Sequence, residues 1–472
     1  MSERSLRPVS ETSPLIQEEK TPWWSFFDNT SNQKMGVGKA SFNIITIVMG
    51  VGVLNLPSGV SASGWFGVIV IAIMGLACAY TSAIIAHCMY APSPIPKTYN
   101  KVEKEDEDEA NFESLSPFSP LRMKGEPRHS SYTEIAEAAF GIPARIFVAF
   151  QVHLTLIGVS TIFLILAASF LNDMIEIIQL LQGIEVPVAY FTTTEATLIV
   201  AAVLWFHVWF DNLTQLGNLS FLSVLATILL VVAVIVDVFV NVDPDNRGDH
   251  VFVTKDLGFW TSFVAFAFSF GAHPVLPDIV REMKEPSKYA PMSYVTFFII
   301  TLSYIPVAVI GYWAFGDNTK SPILDNLRQD STLVLIAIIC LFFHLLVSYA
   351  VCLRPSEHDF EEVLNPYLKL NQPGFIARIK RVISRTLFLG ITLGIALAIP
   401  QFGLVLDLVA ALTNTFTVFV LPCAFFSKLF WKRLHPFFHG INFLLILVGF
   451  VACGIGTYNA VYAIIEEFTS EP

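Results

Sequence analysis

The sequence predicts an all-α integral membrane protein of eleven transmembrane helices, and three observations carry that prediction. First, 54% of the 472 residues are hydrophobic and only 14% are charged, against about 25% charged in an ordinary soluble chain. Second, the charges crowd into 97–145 and 354–385 and leave long charge-free stretches elsewhere. Third, those stretches are about 20 residues long, enough for a helix to cross a hydrocarbon core of about 30 Å. A soluble enzyme, a nucleic-acid binder and a disordered scaffold are all excluded by this composition, and the lipid bilayer becomes the first partner.

Taken in order, the apolar runs lie at 41–60, 64–90, 145–171, 194–210, 219–240, 258–280, 293–315, 332–353, 386–400, 402–427 and 440–465. Helix-stopping residues separate them: Pro92 to Pro96, Asn241 to Gly248, Gly316 to Asn318, Pro355 and Pro436. Pro400, Gln401 and Gly403 make a tight turn between the ninth and tenth runs. With the N-terminus in the cytosol, 24 of the 28 Lys and Arg residues fall on the cytosolic side, and only Arg247, Lys255, Lys320 and Arg328 fall opposite. Positive charge marks the cytosolic face, so the C-terminus is expected on the lumenal or extracellular side.

The chain therefore divides into a cytosolic tail (1–39), a transmembrane region (40–466) and a short far-side end (467–472). An acidic cytosolic loop at 91–144 lies within the transmembrane region. The net charge of −11 comes mostly from Glu103 to Glu109 in that loop and from Glu466, Glu467 and Glu471, and it identifies no partner. The N-x-S/T triplets headed by Asn29, Asn212 and Asn218 fall in cytosolic or membrane-edge segments and are expected to stay unglycosylated. All six cysteines lie in or beside apolar runs, as small packing residues rather than a disulfide framework. The first forty residues are polar, so no cleavable signal is expected and the first span acts as the membrane signal.

Two spans carry helix-breaking residues. The first reads Gly50-Val51-Gly52-Val53-Leu54-Asn55-Leu56-Pro57, and Gly and Pro both weaken the helical hydrogen-bond ladder. Close packing of small residues would also use glycines. Gly50 and Gly52, two apart, face different directions, which fits an unwound segment better. The sixth span reads Ser269-Phe270-Gly271-Ala272-His273-Pro274, with Pro277 and Asp278 following. Breaks in corresponding spans of two five-helix repeats mark the binding site of an inverted-repeat transporter. Half-helix N-termini favour an anion and half-helix C-termini a cation, so a zwitterion such as an amino acid fits between them.

At this point the sequence resembles the amino acid/auxin permease family, a branch of the LeuT-like transporters. The resemblance rests on Gly50-Val-Gly52-Val-Leu-Asn-Leu-Pro57 with Gly64-Trp65, on Ser131-Tyr132-Thr-Glu134, on Phe266-Ala-Phe-Ser-Phe-Gly271-Ala-His273-Pro, on Glu282-Met283-Lys-Glu-Pro286 and on Ala314-Phe315-Gly316-Asp317. Cys78-Ala-Tyr80-Thr81, Asp325-Asn326-Leu327 and Leu421-Pro422-Cys423 resemble its vesicular inhibitory and vacuolar amino acid transporter branch. Gly271-Ala-His273-Pro is nearer the general family form, which leaves the substrate within that branch open. The resemblance implies a 5+5 inverted repeat plus one helix, with secondary active transport of amino acids, often proton-driven.

Substrate contacts are then expected from Thr46, Gly50, Val51, Gly52, Val53, Ser269, Gly271 and Ala272. Titratable groups at membrane depth are functional candidates: His87, His153, His207, Asp237, His273, Asp278, His344 and Asp407. His87, His207, Asp237 and Asp407 sit near span ends, where snorkelling to the interface is the plainer reading. His153, deeper in the third span, is ambiguous. His273 lies in the break and either carries a proton or, neutral, satisfies carbonyls that Pro274 and Pro277 free. Asp278 either holds a proton or pairs with Arg281. His344 and Ser348 share a face of the eighth span, which in LeuT-like folds forms a cation site against the first. A packing role is the alternative. The coupling ion is thus H+ or Na+, with no other cofactor and no resident metal expected.

Gly36-Val-Gly38-Lys39 lacks the phosphate-loop spacing, and no metalloprotease or nucleophile-elbow motif is present. The expected function is amino acid transport across a lysosomal, vacuolar or vesicle membrane. The alternatives are a sodium-coupled plasma-membrane transporter and an amino acid sensor, for which the tail is short. In the tail, Glu11-Thr-Ser-Pro-Leu15-Ile16 fits an acidic dileucine signal read by vesicle-coat adaptors. Pro14 favours the extended backbone such docking needs.

Overall fold

The computed structural model describes residues 34–91, 127–184, 188–210, 213–241, 248–254, 258–327, 330–370, 372 and 374–470. These residues form helices throughout, with an isolated bridge between Met35 and Met283 and no β-strand among them. In chain order they are α1 (Val37–Val48), α2 (Val51–Ser63), α3 (Phe66–Met89), α4 (Tyr132–Phe140) and α5 (Ile142–Leu181). Next come α6 (Thr193–Leu204, continued by a 3-10 turn to Trp209), α7 (Leu213–Asn241), α8 (Gly258–Ser269), α9 (Leu276–Glu282) and α10 (Tyr289–Phe315). The last are α11 (Thr332–Leu368), α12 (Phe375–Ala398), α13 (Phe402–Val409), α14 (Leu421–Leu429) and α15 (Pro436–Ser470).

Nine helical runs are long and apolar enough to cross a membrane, and α1 and α2, bent by 47° at their junction, make a tenth if counted as one span. The expected fourth span is a 17-residue apolar run, Thr193–Trp209, about 26 Å long at the α-helical rise and so at the short limit for a crossing. Apolar side chains cover much of the outside: Phe298 is 68% exposed, Phe443 69% and Tyr458 71%. Lipid solvates such surface where water would not. The middle is built from α1, α2, α8 and α9, with α3, α7, α10 and α11 packed around them and α5 against α11. On the outside, α15 rests against α13, α14 and the segment between them.

The structure departs from the expected stop at Pro355. Helix α11 runs through Pro355 and Pro366 to Leu368 rather than ending at 353. A proline removes a single N–H, and tertiary contacts carry the helix past it. Beyond Pro355, Glu357 accepts from Arg354 and His207, and Glu361 is ion-paired to Arg385 of α12 at 2.6 Å. The segment 354–385 is accordingly mostly two helix extensions rather than a loop. The acidic dileucine residues Glu11, Leu15 and Ile16, most of the acidic loop, and Asn29 and Asn212 lie outside the described residues.

Candidate substrate site at the two helix breaks

The last carbonyls of any helix lack an internal partner, and in a bilayer they must find one in the protein. Helix α1 ends at Val48, and Gly50 (φ −67°, ψ −98°) leaves helical geometry before α2 begins. Of the carbonyls released, Thr46 accepts from Ser348 Oγ at 2.9 Å and Val48 from Tyr304 Oη at 2.6 Å. Helix α8 ends at Ser269, and the chain turns through Gly271 and Ala272 into a 3-10 turn at His273–Val275 and then α9. Here Gly271 N turns to Phe268 O, Ala267 O accepts from Asn414 Nδ2 at 3.0 Å, and Ser269 O lies 2.6 Å from Tyr304 Oη.

The two breaks face each other. Ser269 Oγ is 3.2 Å from Gly52 O, so a side chain of the second break meets the backbone just past the first. Tyr304, fully buried on α10, stands between them with Val48 O and Ser269 O each at 2.6 Å. A phenol has one proton to give, so at any moment one of these two carbonyls has no donor from it. The approach is also sterically tight. A Cβ on Gly52 would fall 2.7 Å from Tyr304 Oη and 2.9 Å from Ser269 Cα and O, and one on Gly50 would fall 2.5 Å from His344 Nε2.

Both ends of this region are pinned. At one end, Met35 N donates to Glu282 O at 2.6 Å and Lys284 N to Met35 O at 2.8 Å. At the other, Trp65 packs edge-on to Tyr312 and stacks on His250, while Trp65 N donates to Val251 O. Asn55, one turn past the break, accepts from Ser321.

The expected site residues divide by where they point. Gly50, Gly52, Ser269 and Gly271 meet at the breaks as above. Val51, Val53 and Ala272 are buried beside them. Thr46 turns its hydroxyl away, donating to Ser220 O of α7 at 3.1 Å, and offers only its carbonyl on the α11 side. His344 is fully buried. Its Nδ1 lies 2.7 Å from both Ser223 Oγ and Thr227 Oγ1 of α7, and its Nε2, with no hydrogen-bond partner among the described residues, faces Gly50. His273 Nε2 lies 2.8 Å from Thr81 Oγ1 of α3. Asp278 pairs with Arg281 one turn on, which is the second of the two roles its position allowed.

Snorkelling does not describe three of the four end-of-span groups. His87 is 1% exposed, Asp237 accepts from buried Ser331, and His207 is held between Leu204 O and Glu357. Asp407 is exposed. His153 reaches Ser356 Oγ at 3.0 Å. Sequence reasoning missed Tyr304, Asn414, Ser223 and Thr227. A polar run in an apolar span, Thr413 to Thr417, was the one available signal.

Among the described residues the chain is a multi-pass bundle of helices with two interrupted helices meeting at its centre, an arrangement that fits a membrane transport protein. The chain belongs to the transmembrane amino acid transporter protein family, the amino acid/auxin permeases, whose profile it matches over residues 33–105 and 115–462. It is 27% identical to Amino acid transporter AVT1C of Arabidopsis thaliana over 99% of this chain and 77% of that one. It is similarly 27% identical to Amino acid transporter AVT1B of the same plant over 97% and 80%. Lysine histidine transporter-like 3, also from Arabidopsis thaliana, is 23% identical over 92% and 90%.

Proposed function

We propose that the protein is a proton-coupled secondary transporter that binds its amino acid between the two breaks and exposes it alternately to either side of an intracellular membrane. In this reading eleven spans form a LeuT-like 5+5 repeat plus one, with a cytosolic N-terminus and a lumenal C-terminus. The observation that carries the site is the pair of carbonyls, Val48 O and Ser269 O, sharing the single proton of Tyr304. An α-ammonium group, with three N–H donors, supplies what the phenol cannot, and the carbonyl ends of α1 and α8 favour its charge. Proteoliposomes supplied from outside with a radiolabelled mixture of L-amino acids test the coupling. Uptake driven by an imposed pH gradient and indifferent to sodium supports the reading. Uptake that needs a sodium gradient overturns the proton.

His344 is the group through which the proton acts. Its Nε2 faces the backbone of the first break, and the groups packed on the ring are the hydroxyls of Ser223 and Thr227, the Ser223 carbonyl and the Thr46 and Gly50 backbone. An imidazole changes charge between cytosolic and acidic pH, whereas sodium prefers oxygen ligands. Protonated, it repels the positive end of a substrate lying over Gly50, which links occupancy at the two places. The expected result is that His344→Ala loses stimulation by the pH gradient while substrate exchange survives, and that His273→Ala keeps the stimulation. The reverse pattern moves the role to His273.

The membrane is read from the tail and from the likeness to the vacuolar branch. Changing Leu15 and Ile16 together to Ala is expected to move a fluorescent fusion from acidic organelles to the cell surface. A double mutant that stays on acidic organelles removes the adaptor signal and leaves transport untouched.

A further inference from the structure

We propose that Asn414 is a positioning residue for substrate recognition, holding the break between α8 and α9 in shape through Ala267 O while its amide fills the space that Gly271 leaves. The inference rests on the two breaks being the substrate site. Asn414 closes a π-helical turn, Ala410–Asn414, and a second, Phe416–Val420, follows. Such turns are rare and gather at functional sites. They and the residue between them carry Thr413, Asn414, Thr415 and Thr417, each at most 1% exposed, in a span where buried polar groups are expensive unless used.

The three threonines satisfy themselves within their own helix. Thr413 donates to Val409 O at 2.9 Å, Thr415 to Ala410 O at 2.8 Å and Thr417 to Asn414 O at 3.0 Å. Only the Asn414 side chain reaches across, to Ala267 O at 3.0 Å. That carbonyl lost its helical donor when Gly271 N turned to Phe268 O, so the amide supplies the hydrogen bond that the break removed. The amide also lies over the glycine: a Cβ on Gly271 would sit 2.4 Å from both Nδ2 and Oδ1. Among the described residues no donor reaches Oδ1, which leaves one acceptor at the edge of the break. The tenth predicted span thereby fixes the position of the helix end from which Ser269 O and Ser269 Oγ are presented.

A contact that serves folding alone would lower the amount of active protein. A positioning contact raises the half-saturation concentration instead. Asn414→Asp keeps the size but puts an acceptor where Ala267 O needs a donor. In proteoliposomes supplied with an equimolar radiolabelled mixture of L-amino acids, its half-saturation concentration is expected to rise about tenfold, with the maximal rate within about twofold. Asn414→Ser, shorter but able to donate, is expected to fall between it and the native protein and covers the case in which Asn414→Asp does not fold. Gly271→Ala is expected to lose most uptake, and adding Asn414→Ser to it to restore part by clearing the clash. Unchanged half-saturation in both Asn414 variants, or a double variant no better than Gly271→Ala, overturns the inference. Gly52→Leu in the same assay judges the site separately. If it transports normally the site reading fails, while the thermal midpoints of the Gly271 and Asn414 single and double variants still decide whether the contact exists.

Discussion

Gly52→Leu is expected to abolish uptake in protein that still folds. Even a Cβ at this position would come within 3.0 Å of Tyr304 Oη and Ser269, and a leucine adds three further carbons in the same direction. Tyr304 can yield only by leaving Val48 O or Ser269 O, and Ser269 only by parting α2 from α8. Overpacking of this kind costs about 1–3 kcal/mol, which a domain with about 5–15 kcal/mol of stability survives. The space between the breaks, however, is filled. Uptake normalised to purified protein should fall to background, with an unaltered gel-filtration profile. Gly52→Ala should already lose much of it, because its methyl would fall 2.7 Å from the Tyr304 hydroxyl and 2.9 Å from the Ser269 backbone, which cannot yield as a side chain can. Native uptake by Gly52→Leu removes the site from the breaks.

The second large effect concerns stability. Arg385 is 1% exposed, and its Nε donates to Glu361 at 2.6 Å while Nη1 donates to the Val208 and Phe210 carbonyls at 2.8 Å each. Arg385→Met leaves a buried carboxylate with only the longer 3.7 Å approach of Arg354 and strips two carbonyls of a donor. Breaking one side of a buried ion pair costs about 3–5 kcal/mol, so the yield of monodisperse protein and its thermal midpoint should both fall sharply. Arg385→Lys should not restore them, because a lysine cannot present a forked set of donors to a carboxylate and two carbonyls together. Arg385→Met with Glu361→Met should recover more than either single change. Native-like stability of Arg385→Met would mean that Arg354 neutralises Glu361 unaided.

The positions of the breaks were legible because their causes are local: Gly50 sits where α1 stops, and Gly271 with Pro274 where α8 stops, although Gly52 and Pro57, read as part of the unwound stretch, stay inside α2. What completes the site was not legible, because its parts come from distant segments. Tyr304 lies in an apolar span with no local mark, and Ser223 and Thr227 read as two small polar residues until α7 is packed on His344. Pro355 misled for the same reason. A proline signals a stop unless something outside the helix carries it onward, and here Glu357 and Glu361 are tied to His207 and Arg385, 150 and 24 residues away. The snorkelling expectation for His87, His207 and Asp237 assumed that a polar group near a span end has only water to turn to. In a bundle of this thickness the neighbouring helices supply the partners instead.

Ligand-dependent stabilisation of purified protein tests the substrate site most directly, because it needs neither a gradient nor a transport cycle. A ligand that binds only the folded state stabilises it by mass action, by about 2.7 kcal/mol at a hundredfold excess over its dissociation constant, and so raises the thermal midpoint. The midpoint should therefore climb with added L-amino acid in the native protein and stay flat in Gly52→Leu. An equal climb in both would contradict a substrate site between Gly52, Tyr304 and Ser269.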